Sequence, residues 1–151
     1  MEKYRILASY FDKQMLIVER LYREIIEVDL SSYQNCFVFA LKTQQFYTSL
    51  EDLFKQIAKA FENHIRELSS YHKELLLRMN LEIAEIRPAV LSKQSLLLLD
   101  KVLAFRHFIR HAYDCELDEH QLRVLQTKLQ SEFTYVRIDL ESFRGYIQKL
   151  F

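Results

Sequence analysis

The chain has 151 residues, half of them hydrophobic, with eleven Phe and nine Tyr. A domain of that size removes roughly two-thirds of its unfolded surface from water, so it needs no disulfide framework to stand, and its apolar surplus is available to cover a partner. Lys plus Arg and Asp plus Glu are equal at 21 each, which excludes an overall field drawing the protein onto nucleic acid or an anionic membrane and leaves only local patches for such contacts.

One Gly and one Pro in the whole chain leave few sites for tight turns and hairpins, so the economical expectation is an all-α, up-and-down bundle of four to five helices forming a single domain over 1–151. Two cysteines, Cys36 and Cys115, are too few for a disulfide scaffold and fit a reducing compartment. The opening MEKYRILASYF lacks the apolar run of a signal peptide, and the longest aliphatic run is Leu96 to Leu99. A cytoplasmic protein, neither exported nor membrane-spanning, is expected.

The first helix is expected over Glu2 to Asp29, with Leu7, Tyr10, Ile17, Leu21, Ile25 and Val28 on one stripe. Ser31 and Gln34 read as a capping box that starts a second helix running to about Glu67. Its apolar face takes in Val38, Leu41, Leu50, Leu53, Phe54, Ile57 and Phe61, and the polar Thr43, Gln44 and Gln45 in its middle suggest a groove or interface. A shorter helix is expected from Tyr71 to Ile86, stopped by Pro88, which lacks the amide proton that continues the ladder. The fourth helix, about Ser92 to Ala112, contains Leu96, Leu99, Val102, Leu103, Phe105 and Ile109. Asp118 and Gln121 form a second capping-box pattern ahead of Leu122, Leu125, Leu129, Phe133, Val136, Leu140, Phe143, Ile147 and Leu150, the most regular pattern in the chain and one that suits bundle core better than an independent coiled coil.

The chemistry concentrates in Arg106 to Tyr113, where two Arg, two His and a Tyr occupy eight positions. On a helix His107 lies beside His111 and Arg110 beside Asp114, while Phe105, Phe108 and Ile109 turn toward the core. Arg106 and His111 differ by about 140° on an ideal helix, so they converge on one ligand only through helix distortion or a second chain. An imidazole can take the proton of a ribose 2′-hydroxyl and a guanidinium can hold the charge gathering on phosphate oxygens, which suits metal-free RNA cleavage and spares DNA. His111 would be the acid or base and Arg106 the clamp. His107, His111 and Cys115, four apart, could also be read as metal ligands, but a fourth is not evident. Arg106 alone would be read as a structural cation, Tyr113 alone as a core residue, His64, His72 and His120 as surface residues, and Asp114, Glu116, Asp118 and Glu119 as a solvated loop and cap.

Arg106, four residues, His111, one residue, Tyr113 matches the R-x4-H-x-Y motif, and through it the chain resembles the HEPN-domain family and its HepT-like ribonuclease toxins of HepT/MntA toxin–antitoxin pairs. The stretch Phe46 to Phe54 is similar to the second helix of those proteins. The resemblance implies a HEPN-like helical bundle and a metal-independent endoribonuclease, without cofactor, acting as a homodimer with the two motifs facing one cleft. It implies Arg106 and His111 as cleaving residues and Tyr113 as the tyrosine that an MntA-like nucleotidyltransferase antitoxin modifies with AMP. His107 stands where the family often has Asn or Asp, a departure that leaves open whether it takes part in catalysis or positions the phosphate; it and Arg110 are the expected auxiliary contacts to RNA phosphate. The alternative is a non-catalytic helical module that assembles with a nucleotidyltransferase, supported by the neutral charge and the apolar surplus.

Overall fold

In a computed structural model, which describes residues 1–62, 71–112 and 116–151, five helices pack as a bundle: α1 (Glu2–Ile26), α2 (Tyr33–Glu62), α3 (His72–Met79), α4 (Lys93–His111) and α5 (Glu119–Gln148). No described residue lies in a strand, and no described helix is long and apolar enough to cross a membrane. The three long helices α1, α2 and α5 set the frame. Gln14 on α1 donates to the Ser49 carbonyl at 2.8 Å and Lys42 on α2 meets Glu24 at 3.0 Å, so α1 and α2 run antiparallel. Arg137 pairs with Glu19 and Arg144 with Asp12, so α5 is antiparallel to α1 as well.

The core is aromatic because large rings fill space between helices while losing few rotamers. Tyr22 of α1 stacks on Phe133 of α5 with centroids 4.2 Å apart, Phe46 of α2 meets the same ring edge-on, and Phe61 packs against Phe143 at the other end. On α5 the expected stripe from Leu122 to Ile147 is buried at each of its eight positions, with Leu150 half-buried beyond it. On α1 Leu7, Leu21 and Ile25 are buried, whereas Tyr10 and Ile17 lie half-buried at the stripe's edge and Phe11 and Val18 take the interior.

Three local expectations are corrected. Ser31 does not cap α2. Its amide and hydroxyl both bond Asp29 Oδ1, at 3.0 and 2.6 Å, closing an Asx turn that brings the chain round before α2 begins at Tyr33. Val38 and Leu41 are exposed, and Cys36, Phe39, Ala40 and Thr43 carry the interior there. The segment Phe37 to Leu41 is apolar on every side, so the helical period alone did not choose the face. Finally, α3 stops at Met79 rather than Ile86. The Arg87 side chain is fully buried and collects the carbonyls of Leu81, Pro88 and Arg78 at 2.9, 3.0 and 3.2 Å together with Glu62 at 2.7 Å. The Leu81 and Pro88 carbonyls are available because the chain has left the helix, and Ile83 and Arg87 bridge across the resulting turn.

The start of α4 is fixed more firmly than a cap alone would require. Ser92 is its N-cap, accepting from the Ser95 amide at 3.3 Å. Asp139 on α5 then accepts three bonds through one oxygen: from the Ser92 amide at 2.8 Å, the Ser92 hydroxyl at 2.6 Å and the Ser95 hydroxyl at 2.5 Å. The start of α5 is capped by Asp118, whose carboxylate accepts from the His120 amide at 2.9 Å; no reciprocal bond from Gln121 completes a box among the described residues. Asp139→Ala leaves these donors without their acceptor and is expected to lower the unfolding free energy by about 1–3 kcal/mol. Urea titration should show a lower midpoint at an unchanged slope.

Candidate functional site

On α4, Arg106 points inward. It is 4% exposed, and its guanidinium reaches Thr48 Oγ1 at 3.2 Å, Glu51 Oε1 at 3.5 Å and His72 Nδ1 at 3.0 Å, with the Tyr47 ring centroid 5.0 Å from its central carbon. Three helices therefore contribute to one polar cluster. Glu51, on α2, is 3% exposed, and a carboxylate so buried must be paired to remain ionised. Its two oxygens divide the work: Oε1 faces Arg106 and, at 3.8 Å, Lys55, while Oε2 lies 2.7 Å from His72 Nδ1.

Those contacts assign the tautomer of His72. A ring nitrogen cannot both donate to a carboxylate and accept from a guanidinium, and the shorter, charge-assisted contact to Glu51 takes the proton. Nδ1–H thus donates to Glu51, and Nε2 is turned away from that pair, engaged by no hydrogen bond among the described residues. Arg106 then lies beside the protonated nitrogen and directs its own hydrogens to Glu51 and Thr48. The His72 side chain is 30% exposed and Thr48 is exposed, so two of the three polar neighbours of the buried guanidinium reach solvent, while Glu51 does not. His72, expected at the surface, is instead half-buried in this cluster.

Around the cluster the environment is dry. The Tyr47 hydroxyl is buried without a hydrogen-bond partner among the described residues, and burial, reinforced by the Glu51 charge, raises its pKa well above the ordinary phenol value. Burial also raises the Asp52 carboxyl, with Lys55 opposing it. Asp52 and Thr48 form one end of an open groove of about 610 Å³ between α1 and α2, whose other walls include Tyr10, Gln14, Gln44 and Gln45. The polar interruption expected in the middle of α2 does line a groove, while Thr43 turns into the core.

The other motif residues face elsewhere. His107, Arg110 and His111 are exposed, and the rings of His107 and His111 lie 4.5 Å apart, the i, i+4 neighbours their spacing predicts. Within one chain the structure brings His107 to His111 and Arg106 to His72, and it does not bring Arg106 to His111. Phe108, expected in the core, is 44% exposed on this side of α4, as is Leu97 about three turns earlier at 53%. Tyr113, Asp114 and Cys115 lie outside the described residues, as does His64; His120 is exposed as expected. Among the described residues no three His, Cys, Asp or Glu side chains cluster as metal ligands.

The residues that sequence reasoning missed are Glu51 and His72. Glu51 had a legible signal, since it falls between Tyr47 and Phe54 on the buried face of α2, where a lone carboxylate demands a cation. His72 had none: it is joined to Glu51 across 21 positions, and no local pattern predicts that contact.

A family model described as HepT-like protein matches residues 38–147, from α2 to the end of α5, and so contains Glu51, His72, Arg106 and His111. No curated protein and no solved structure matches the chain.

Removing one member of a buried ion pair strands the other, so Arg106→Ala is expected to cost about 3–5 kcal/mol. A doubly apolar variant, Arg106→Leu with Glu51→Leu, should recover most of that loss. Urea unfolding of the two single variants and the double variant measures the coupling; independent, additive losses would contradict a direct pair.

Proposed function

The chain belongs to the HepT-like protein family, and from that premise we propose that it is a metal-independent endoribonuclease toxin that works as a homodimer and is neutralised by a nucleotidyltransferase adding AMP to Tyr113. The observation that carries this reading is the placement of the R-x4-H-x-Y motif. It occupies the last turns of α4 and the residues just beyond, inside the matched region, with His107, Arg110 and His111 exposed to a substrate.

In this reading the ribose 2′-hydroxyl attacks the adjacent phosphorus. His111 takes or returns the proton, Arg106 supplies positive charge to the phosphate oxygens, and Arg110 and His107 make auxiliary contacts with the RNA backbone. A guanidinium held in a dry, preorganised setting stabilises developing charge more strongly than one in water. Because α4 turns Arg106 and His111 to different sides, the cleft requires a second copy whose α4 end approaches the Thr48 side of the first. The exposed Leu97 and Phe108 give α4 apolar surface suited to burial against another chain. AMP on Tyr113 would add bulk and negative charge two residues from His111 and so repel RNA phosphate.

The burial of Arg106 favours a second reading. A guanidinium that is 4% exposed and already bonded to Thr48 and Glu51 serves as a tie between helices, which suits a non-catalytic module that assembles with a nucleotidyltransferase through its apolar surface.

Incubation of the purified chain with total RNA in EDTA separates the two. Defined fragments are expected, and His111→Ala, an exposed position, should slow cleavage about 100-fold or more with unchanged circular dichroism. Parental activity in that variant would refute the assigned histidine. Intact RNA together with a stable nucleotidyltransferase complex would establish the module instead.

A further inference from the structure

The imidazole that meets Arg106 within one chain is His72, and the arrangement around it is that of an oriented base. A carboxylate buried on α2, Glu51, accepts from Nδ1 at 2.7 Å and fixes the ring; a guanidinium buried on α4, Arg106, lies 3.0 Å from the same nitrogen; and the ring, on the first residue of α3, is 30% exposed. A carboxylate behind the ring has two effects. It holds the tautomer that leaves Nε2 able to accept a proton, and it stabilises the imidazolium once the proton has arrived. The neighbouring guanidinium is bonded to Glu51 on its inner side and to exposed Thr48 at 3.2 Å on its outer side, so Thr48 is the edge of the cluster that an incoming anion would meet.

We infer that His72 is a further catalytic residue, a general base acting through Nε2 on an RNA phosphodiester whose phosphate is held beside Arg106 and Thr48, with Glu51 as its positioning residue. The inference rests on the ribonuclease reading above and adds to its cleft a base from the same chain as Arg106. In the step, Nε2 takes the proton of the 2′-hydroxyl and the O2′–P bond forms. The P–O5′ bond breaks with its electron pair on O5′, which takes its proton from His111 of a second copy, leaving a 2′,3′-cyclic phosphate on one fragment. The His72 imidazolium then passes its proton through water to His111, which restores both rings, and no oxidant, reductant or further reactant is needed.

The charged groups around the ring come from each helix packed on it. Glu51, Asp52 and Lys55 belong to α2, and Arg106 belongs to α4. Lys73, the next residue of α3, is already paired with Asp100 of α4. The carboxylate on Nδ1 is Glu51, so its removal should release the ring from its fixed orientation and slow cleavage, whereas loss of Lys73 should leave cleavage unchanged.

The test is cleavage of a single-stranded RNA in EDTA by the full chain and by two variants. His72→Asn keeps an N–H for Glu51 and so should fold, but lacks Nε2; His72→Ala opens a space that free imidazole can enter. The expected result is a loss of about 100-fold or more in both, with parental circular dichroism for His72→Asn and partial restoration of His72→Ala by added imidazole. Parental cleavage by His72→Asn would overturn the inference while leaving the ribonuclease reading intact, as would a loss in His72→Ala that imidazole does not relieve. Failure of the parent chain to cleave would remove that reading and this inference together.

Discussion

A carboxylate that the fold removes almost completely from water governs how α2, α3 and α4 meet. Glu51 sits on the inward face of α2 among Tyr47, Leu50 and Phe54, and its charge would be expensive there without partners. Arg106 and His72 answer that demand from two other helices. The consequence reaches beyond stability. To satisfy Glu51, α4 must turn its one buried arginine inward, and this fixes the rotation of the whole helix and therefore which side chains its last turns show to solvent.

From that rotation follows the division of the motif. With Arg106 inward, His107, Arg110 and His111 face out, and the two exposed histidine rings lie against one another, tilted, rather than against the arginine. The start of α4 is held by Asp139 of α5 and its far end by the cluster around Glu51, so the helix is braced at both ends against rotation. A scaffold of that kind suits a site that must present charges in fixed directions, because preorganised groups need no rearrangement as charge develops. The same rigidity means that Arg106 and His111 can share a substrate only through a second molecule, whereas Arg106 and His72 share a location already.

Much of this was legible in the sequence, and the exceptions have physical reasons. The stripe on α5 and the serine start of α4 were readable because one face of each helix is apolar and the other polar. The start of α2 was not, since Phe37, Val38, Phe39 and Leu41 offer two equally apolar faces and only packing against neighbouring helices selects one. The end of α3 was misplaced for a tertiary reason: a buried Arg87 needs main-chain acceptors, and the chain leaves the helix early to provide them. The R-x4-H-x-Y motif could be found by spacing, but the contacts of Arg106 could not, because they join residues 34 to 58 positions apart. Even so, a glutamate in the buried register of α2 was a sign that some cation or imidazole had to meet it.

The central claim is that Glu51 binds and orients the His72 ring beside Arg106. Long-range proton–nitrogen correlation NMR of the His72 ring, recorded where the ring is neutral, tests it directly by reporting which nitrogen carries the hydrogen. The account predicts protonated Nδ1 and bare Nε2, with the pattern weakened in a Glu51→Gln protein. A parent chain in which Nε2 carries the hydrogen, or a ring whose tautomers interconvert freely, would contradict it.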